Sequence, residues 1–310
     1  MADLTGNAAG DLLARLRQRV PPDLAERARA FRPDHDTPTP PRDAATVVLL
    51  RDARSENSAS GIEVCLLRRA STMAFAAGMY VFPGGKVDPA DIGAELRWFA
   101  TPEAGVAHLL GAEPALARAL VCAAVRETFE ECGVLLAGAD ADTVADVSDP
   151  GWESDRLALE GRQASLAAVL TRRGLGLRGD LLRPWARWVT PEIEPRRYDT
   201  RFFVAAMPAG QRTRRIPGES DRTLWTSPSI ALQEHLAGRL GMLPPTALTL
   251  AELAEYDSVD AVLTASGARN TRPILPRIVI AGGEARLLLP HDVGYGPVHD
   301  GDGDGDGRDV

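Results

Sequence analysis

Between residues 115 and 132 the chain contains neither glycine nor proline, and Val121, Val125, Thr128 and Cys132 recur at i, i+4, i+7 and i+11. That spacing lays one apolar face along a helix. Pro114 before it and Gly133 after it are ordinary start and stop signals. Upstream, residues 45–51 and 62–68 are β-rich runs on either side of a polar stretch at 52–61, which predicts a hairpin with a long connection. Residues 80–82 predict a short third strand that ends at a glycine-rich loop. Downstream the pattern predicts a helix over 155–173 and strands at 185–190 and 201–207, with Pro191-Glu192-Ile193-Glu194-Pro195 turning between them. A strand at 223–226, helices at 228–241, 250–256 and 259–265, and a hairpin of 277–281 with 285–289 about Gly282-Gly283 complete the pattern. Strands and helices mix without a regular βαβ repeat.

The 115–132 helix carries a second, acidic face. At about 100° per residue, Glu127, Glu130 and Glu131 fall within an arc of roughly 100°. Two such charges about 4 Å apart repel by about 4 kcal/mol at an effective dielectric near 20. A cation among them, or a proton on one, relieves that repulsion. Carboxylate oxygens are hard ligands, and no His or Cys lies within the arc, so Mg²⁺ or Mn²⁺ is the natural occupant. A Glu-Glu pair on a helix is ordinarily a solvated face. Here it stands inside Arg126-Glu127-Thr128-Phe129-Glu130-Glu131-Cys132-Gly133-Val134, with Phe82-Pro83-Gly84-Gly85-Lys86 upstream.

Composition narrows the class. Of 310 residues, 45% are hydrophobic and 25% charged, ordinary values for a globular enzyme. No run of 18 apolar residues and no basic-then-apolar leader is present, so the sequence reads as cytoplasmic with no membrane partner. A formal net charge of −8 argues against nucleic acid as a partner. Cys65, Cys122 and Cys132 form no C-x-x-C pair and read as buried free thiols. Lys86 is the single lysine of the chain, and it falls inside the glycine-rich motif.

The two motifs together resemble the halves of a Nudix box, G-x5-E-x7-R-E-U-x-E-E-x-G-U, with U a bulky aliphatic residue. Starting from Gly85, Asp91 stands at the first acidic position, Thr128 at an aliphatic one, and 34 residues separate Asp91 from Arg126 where the box has 7. The chain is therefore identified as a member of the Nudix hydrolase superfamily with an insertion in its box. Together with Val64-Cys65-Leu66-Leu67-Arg68-Arg69-Ala70, Gly78 and Arg196-Arg197-Tyr198-Asp199-Thr200-Arg201-Phe202-Phe203, it resembles the coenzyme A diphosphatases of the animal peroxisomal type. The coenzyme A signature is met at Arg69, Ala70, Gly78 and Phe-Pro-Gly-Gly, but Leu67 and Ala74 replace its Thr and second Arg.

The resemblance implies an α/β fold, an α/β/α sandwich around a mixed sheet, with a helical insertion and a C-terminal extension. It implies that Glu127, Glu130 and Glu131 ligate Mg²⁺ or Mn²⁺ with the Gly84 carbonyl, and that Arg126 orients Asp91 or Glu127. Glu219 is the candidate for a further acidic residue outside the box. Arg69, Arg196, Arg197 and Lys86 are candidate substrate contacts. The implied substrate is a nucleoside diphosphate-linked small molecule: coenzyme A or acyl-coenzyme A, cleaved to 3′,5′-ADP and 4′-phosphopantetheine. ADP-ribose, NADH or a dinucleoside polyphosphate, and a non-catalytic ligand sensor, stay open as alternatives. The division expected is an extension and linker at 1–41, a Nudix domain at 42–240 with the insertion at 92–118, a helical and hairpin extension at 241–299, and a disordered acidic tail at 300–310. The insertion reads as helices, serving either as a pocket wall or as a brace.

Overall fold

A computed structural model describes residues 20–32, 35–53, 61–70, 76–93, 95–100, 103–214, 216, 220–290, 292 and 295. The site is organised around strand β1 (Arg42–Asp52). Strand β9 (Tyr198–Ala206) runs parallel beside it, from Arg42 opposite Tyr198 to Leu50 opposite Ala206. The other flank of β1 is shared. Its C-terminal half pairs antiparallel with β2 (Ile62–Arg69), and its N-terminal half with β4 (Gly84–Lys86), Thr46 facing Gly84. The sheet runs outward to β10 (Ser220–Thr226) on the β2 side. On the β9 side it continues through β8 (Arg183–Val189) to β11 (Pro273–Ile274), while β3 (Tyr80–Val81) pairs with β2.

Alternation along β1 and β9 sends the sheet's two faces into two cores. Ala45, Val47, Leu49 and Phe203 pack under α2 (Glu103–Leu110), α3 (Pro114–Cys132), α4 (Gly151–Glu160) and α5 (Leu166–Arg172). Val48, Leu50, Phe202 and Val204 pack under α6 (Pro228–Leu236), α7 (Pro244–Leu253) and α8 (Val259–Ser266). The result is the α/β/α sandwich. A short helix α1 (Pro22–Ala30) touches the separate hairpin of β12 (Arg277–Ala281) and β13 (Glu284–Leu288) through Arg29 Nη2, which donates to the Gly283 carbonyl at 3.2 Å.

Helix α3 matches the apolar pattern closely. Val121, Val125, Thr128 and Cys132 are all buried, Pro114 opens the helix, and Gly133 closes it in the left-handed region at φ 69°. Thr128, at the aliphatic position of the box, is tolerated in the core because its hydroxyl donates to the Ala124 carbonyl at 2.7 Å.

Elsewhere the elements depart from the pattern. The expected helix at 155–173 is two helices, α4 and α5, because Gly161 ends one and the Ser165 side chain caps the next by accepting from Ala168 N–H at 3.1 Å. Within the stretch expected as extension and linker, Pro22 begins α1, since a first-turn proline has no intrahelical N–H bond to lose. The helix expected at 228–241 stops at Leu236, with Gly238 at φ 78° beyond it. The insertion is only partly helical. Trp98 and Phe99 form strand β5, parallel to β7 (Gly176–Arg178), which also pairs with β6 (Ala137–Gly138) in a small second sheet. Val106 and Leu110 of α2 enter the main core. Residues 1–19 of the extension, Ala74 of the coenzyme A signature and the acidic tail at 300–310 lie outside the described residues.

Candidate active site

The acidic face of α3 meets the glycine-rich strand β4 edge on. Gly84 N–H donates to Glu131 Oε2 at 2.9 Å. A Cβ on Gly85 would stand 2.2 Å from Glu127 Oε1, so any side chain here would push that carboxylate from its place. A Cβ on Gly84 would press into the Ala45 carbonyl at 2.5 Å, which fixes the close approach of β4 to β1. Both glycines of the motif thus hold the loop against the acidic helix on one side and the sheet on the other.

Arg126 closes the interrupted motif. Its Nη2 donates to Asp91 Oδ2 at 2.9 Å and to the Lys86 carbonyl at 3.1 Å, and its Nη1 donates to Glu127 Oε1 at 2.9 Å. Both carboxylates named in the sequence expectation are therefore its partners. Glu130 Oε1 lies further off, at 3.4 Å from the same Nη1. From behind, the buried Arg156 donates to the Glu130 carbonyl at 3.2 Å and pairs with Glu160 and Glu153, tying α4 to the acidic end of α3. Phe129 and Trp152 meet edge to face at 5.8 Å in the same joint.

One guanidinium does not neutralise this many carboxylates. Burial pushes the Glu130 carboxyl up to about 7 against the pull of Arg126, with Glu127 and Asp91 adding repulsion. The donor set of hard oxygens and its excess negative charge fit a divalent cation. Glu127 and Glu130 are turned to Arg126 and Glu131 to the Gly84 amide, and among the described residues no three acidic, His or Cys side chains are drawn into a ready ligand shell.

These groups line a cleft of about 750 Å³ that opens over β1 and β9. Glu127, Glu130 and Glu131 stand in it together with Gly84, Lys86, Arg126, Arg69 and Arg196, so the cleft gathers most of the residues singled out in the sequence. Arg69 is placed by its own backbone, since its N–H donates to the Met79 carbonyl and its carbonyl accepts from Gly78 N–H. Arg197 goes elsewhere. It is buried, with Nε donating to the Thr190 carbonyl at 3.0 Å and Nη1 to the Thr39 carbonyl at 2.8 Å, and it is not among the residues that line the cleft. Its carboxylate neighbours are held by other arginines: Asp199 by Arg187 and Arg201, Glu194 by Arg27. Glu219 lies outside the described residues, although Ser220 beside it lines the cleft.

Sequence reasoning missed the far wall. Arg162, Gln163 and Ser165 reach the cleft from the break between α4 and α5, and Tyr198 and Thr200 from β9. The available signal was Gly161 inside a span read as one helix. Among the described residues none of 92–118 lines the cleft.

The sandwich, the glycine-rich loop and the glutamates of α3 define a Nudix diphosphatase, a hydrolase. Residues 41–253 match the family model of the NUDT19 Nudix domain, and the chain belongs to that family. It is 27% identical over 300 residues to the acyl-coenzyme A diphosphatase NUDT19 of Gallus gallus, covering 82% of this chain and 79% of that protein. It is also 27% identical over 280 residues to the acyl-coenzyme A diphosphatase NUDT19 of Homo sapiens, covering 76% and 73%. Among solved structures, the NUDIX hydrolase from Alicyclobacillus acidocaldarius is 34% identical with a TM-score of 0.61, covering 73% of this chain and 96% of that one. Among the described residues no helix is long and apolar enough to cross a membrane.

Proposed function

We propose that this chain hydrolyses the diphosphate of coenzyme A or an acyl-coenzyme A, releasing 3′,5′-ADP and 4′-phosphopantetheine, acylated when the substrate is. The observation that carries the reading is the convergence of Glu127, Glu130 and Glu131 with the Phe-Pro-Gly-Gly loop and Arg69 on one cleft. The acyl-coenzyme A diphosphatases among its relatives support the choice of substrate.

Glu127, Glu130 and Glu131 would hold Mg²⁺ or Mn²⁺, with the Gly84 carbonyl as a further oxygen donor. When bound, the cation supplies positive charge and Lewis acidity to the diphosphate. The chain's own residues do the positioning. Arg126 holds Glu127 from the side, the Gly84 amide holds Glu131, and Gly85 leaves room for Glu127. Arg69, Lys86 and Arg196 line the same cleft and give the substrate's phosphates cationic neighbours in a chain whose net charge is −8.

The test is a product screen with Mg²⁺ or Mn²⁺ over coenzyme A, acetyl-coenzyme A, ADP-ribose, NADH and a dinucleoside polyphosphate. Formation of 3′,5′-ADP from the coenzyme A compounds is expected. Cleavage of ADP-ribose or NADH with no 3′,5′-ADP from coenzyme A would move the substrate assignment to those compounds.

A further inference from the structure

The break between α4 and α5 places a charged side chain where the backbone prefers none. After Glu160 the chain leaves α4 through a Schellman-type turn: Gln163 N–H donates to the Ala158 carbonyl at 2.7 Å and Arg162 N–H to the Leu159 carbonyl at 2.8 Å. The residue at the left-handed position of such a turn is usually glycine. Here Gly161 sits one residue early, at φ −76°, where any residue is accommodated, and Arg162 takes the left-handed position at φ 56°. A Cβ in that region crowds the following carbonyl, which is why L-residues with long side chains seldom adopt it.

What the position gains is an address. Arg162 lines the catalytic cleft opposite the glycine-rich loop, and its side chain is 71% exposed. Its ion-pair contact, Asp88 Oδ2, lies 3.8 Å from Nη2, longer than a hydrogen bond. Asp88 belongs to the same cleft and stands two residues after the glycine-rich strand. The pair therefore spans the cleft between its two walls. An Arg–Asp contact this loose and this exposed contributes little to stability. Backbone strain kept at a functional cleft without a structural return points to a role in binding.

We propose that Arg162 is a substrate-binding residue: on entry of a diphosphate it leaves Asp88 and donates to a phosphate oxygen, closing the cation wall of Lys86, Arg69 and Arg196 from the opposite side. A guanidinium offers paired donors to a phosphate, and a phosphate oxygen within hydrogen-bond reach is the stronger acceptor for it than a carboxylate at 3.8 Å. The assignment rests on this cleft receiving the diphosphate and does not depend on which diphosphate it is.

Arg162→Gly separates the two roles because glycine suits the left-handed backbone while it removes the cation. Its Tm is expected within about 2 °C of wild type. KM for the cleaved substrate, and the Kd of ADP by calorimetry, should each rise about tenfold with kcat within about twofold, the pattern of an interaction made equally in ground and transition states. Arg162→Lys, which keeps the charge but loses the paired donors, should fall between wild type and the Gly variant on both measures. Kinetics are run on coenzyme A and on ADP-ribose in parallel. Loss of coenzyme A as a substrate of the wild type would sink the substrate assignment above and leave the ADP measurement to decide on Arg162. A Gly variant whose ADP Kd and KM stay within twofold of wild type, or a Lys variant as weak as the Gly variant, overturns the role of Arg162.

Discussion

Arg126 Nη2 donates to Asp91 Oδ2 at 2.9 Å, joining two residues separated by 34 others in sequence. Asp91 is almost wholly buried, at 1% exposure, and also accepts from the Asp88 amide at 2.8 Å. The loop after the glycine-rich strand and the acidic helix are thus locked together at their polar junction, and the inserted elements leave that junction on their way to the core. The shorter acid at this position still reaches the guanidinium.

That geometry predicts the cost of breaking the pair. Asp91→Ala removes a buried partner and leaves Arg126, itself 12% exposed, with no carboxylate for Nε and Nη2, since Glu127 and Glu130 meet only Nη1. Breaking such a pair costs about 3 kcal/mol. Urea denaturation should show this as a lowered midpoint at an unchanged slope. An unchanged midpoint would mean that Arg126 finds sufficient compensation in Glu127 and Glu130 alone.

For the carboxylates the expected loss lies in turnover. Glu131→Gln retains an oxygen that can accept from the Gly84 amide, so its fold should survive, and Glu130→Gln removes charge from a position that burial already disfavours. Each variant should lower kcat by about a hundredfold or more with a native circular-dichroism spectrum, and chelation of divalent cations should abolish turnover of the wild type. Near wild-type rates in both variants, or in excess chelator, would remove these glutamates from the reaction.

How far the sequence carried depended on whether an element's partners are local. Helix α3 was readable because its apolar spacing, its proline start and its glycine stop all lie within it. The acidic face followed from the same periodicity. Strand β5 was not readable, since Trp98 and Phe99 acquire their extended pairing only from Leu177 and Arg178, far along the chain. Arg197 shows the same limit: beside Arg196 in sequence, it turns to the carbonyls of Thr190 and Thr39 instead of the cleft, and nothing in Arg-Arg distinguishes the two. Gly161 was misread in the opposite way, because a single glycine is too weak a signal to split a helix whose apolar positions continue on both sides.

The buried thiols predict an alkaline limit to stability. Burial pushes the Cys65 thiol from its ordinary 9.0 up to about 12, and Cys132 and Cys122 move in the same direction, with Asp91 adding to the shift at Cys122. Between these values the unfolded chain has lost a proton that the folded chain keeps, so stability is intact below about pH 9 and falls as pH rises towards 12. Cys65 alone contributes about 1.4 kcal/mol per pH unit in that window. Denaturant unfolding at pH 9.5 and 10.5 should show the decline, and Cys65→Ala should make it shallower by about that amount. An identical slope in the variant would place the alkaline loss on other groups.

The substrate assignment makes its own prediction through the 3′-phosphate. Coenzyme A and dephospho-coenzyme A share the diphosphate that is cleaved and differ in that one group. Arg69, at the end of β2, and Arg196, just before β9, both line the cleft. A charge-assisted hydrogen bond from either to the 3′-phosphate is worth about 1.5 to 3 kcal/mol, so dephospho-coenzyme A should show kcat/KM lower by about tenfold or more. Arg69→Ala or Arg196→Ala, whichever carries the contact, should bring the two substrates to parity by lowering the rate on coenzyme A alone. Arg197→Ala should leave the ratio unchanged, since that side chain is committed to the Thr190 and Thr39 carbonyls. Side-by-side assays of the two substrates decide the matter: equal rates with the wild type would show that the 3′-phosphate lies outside the reach of these arginines.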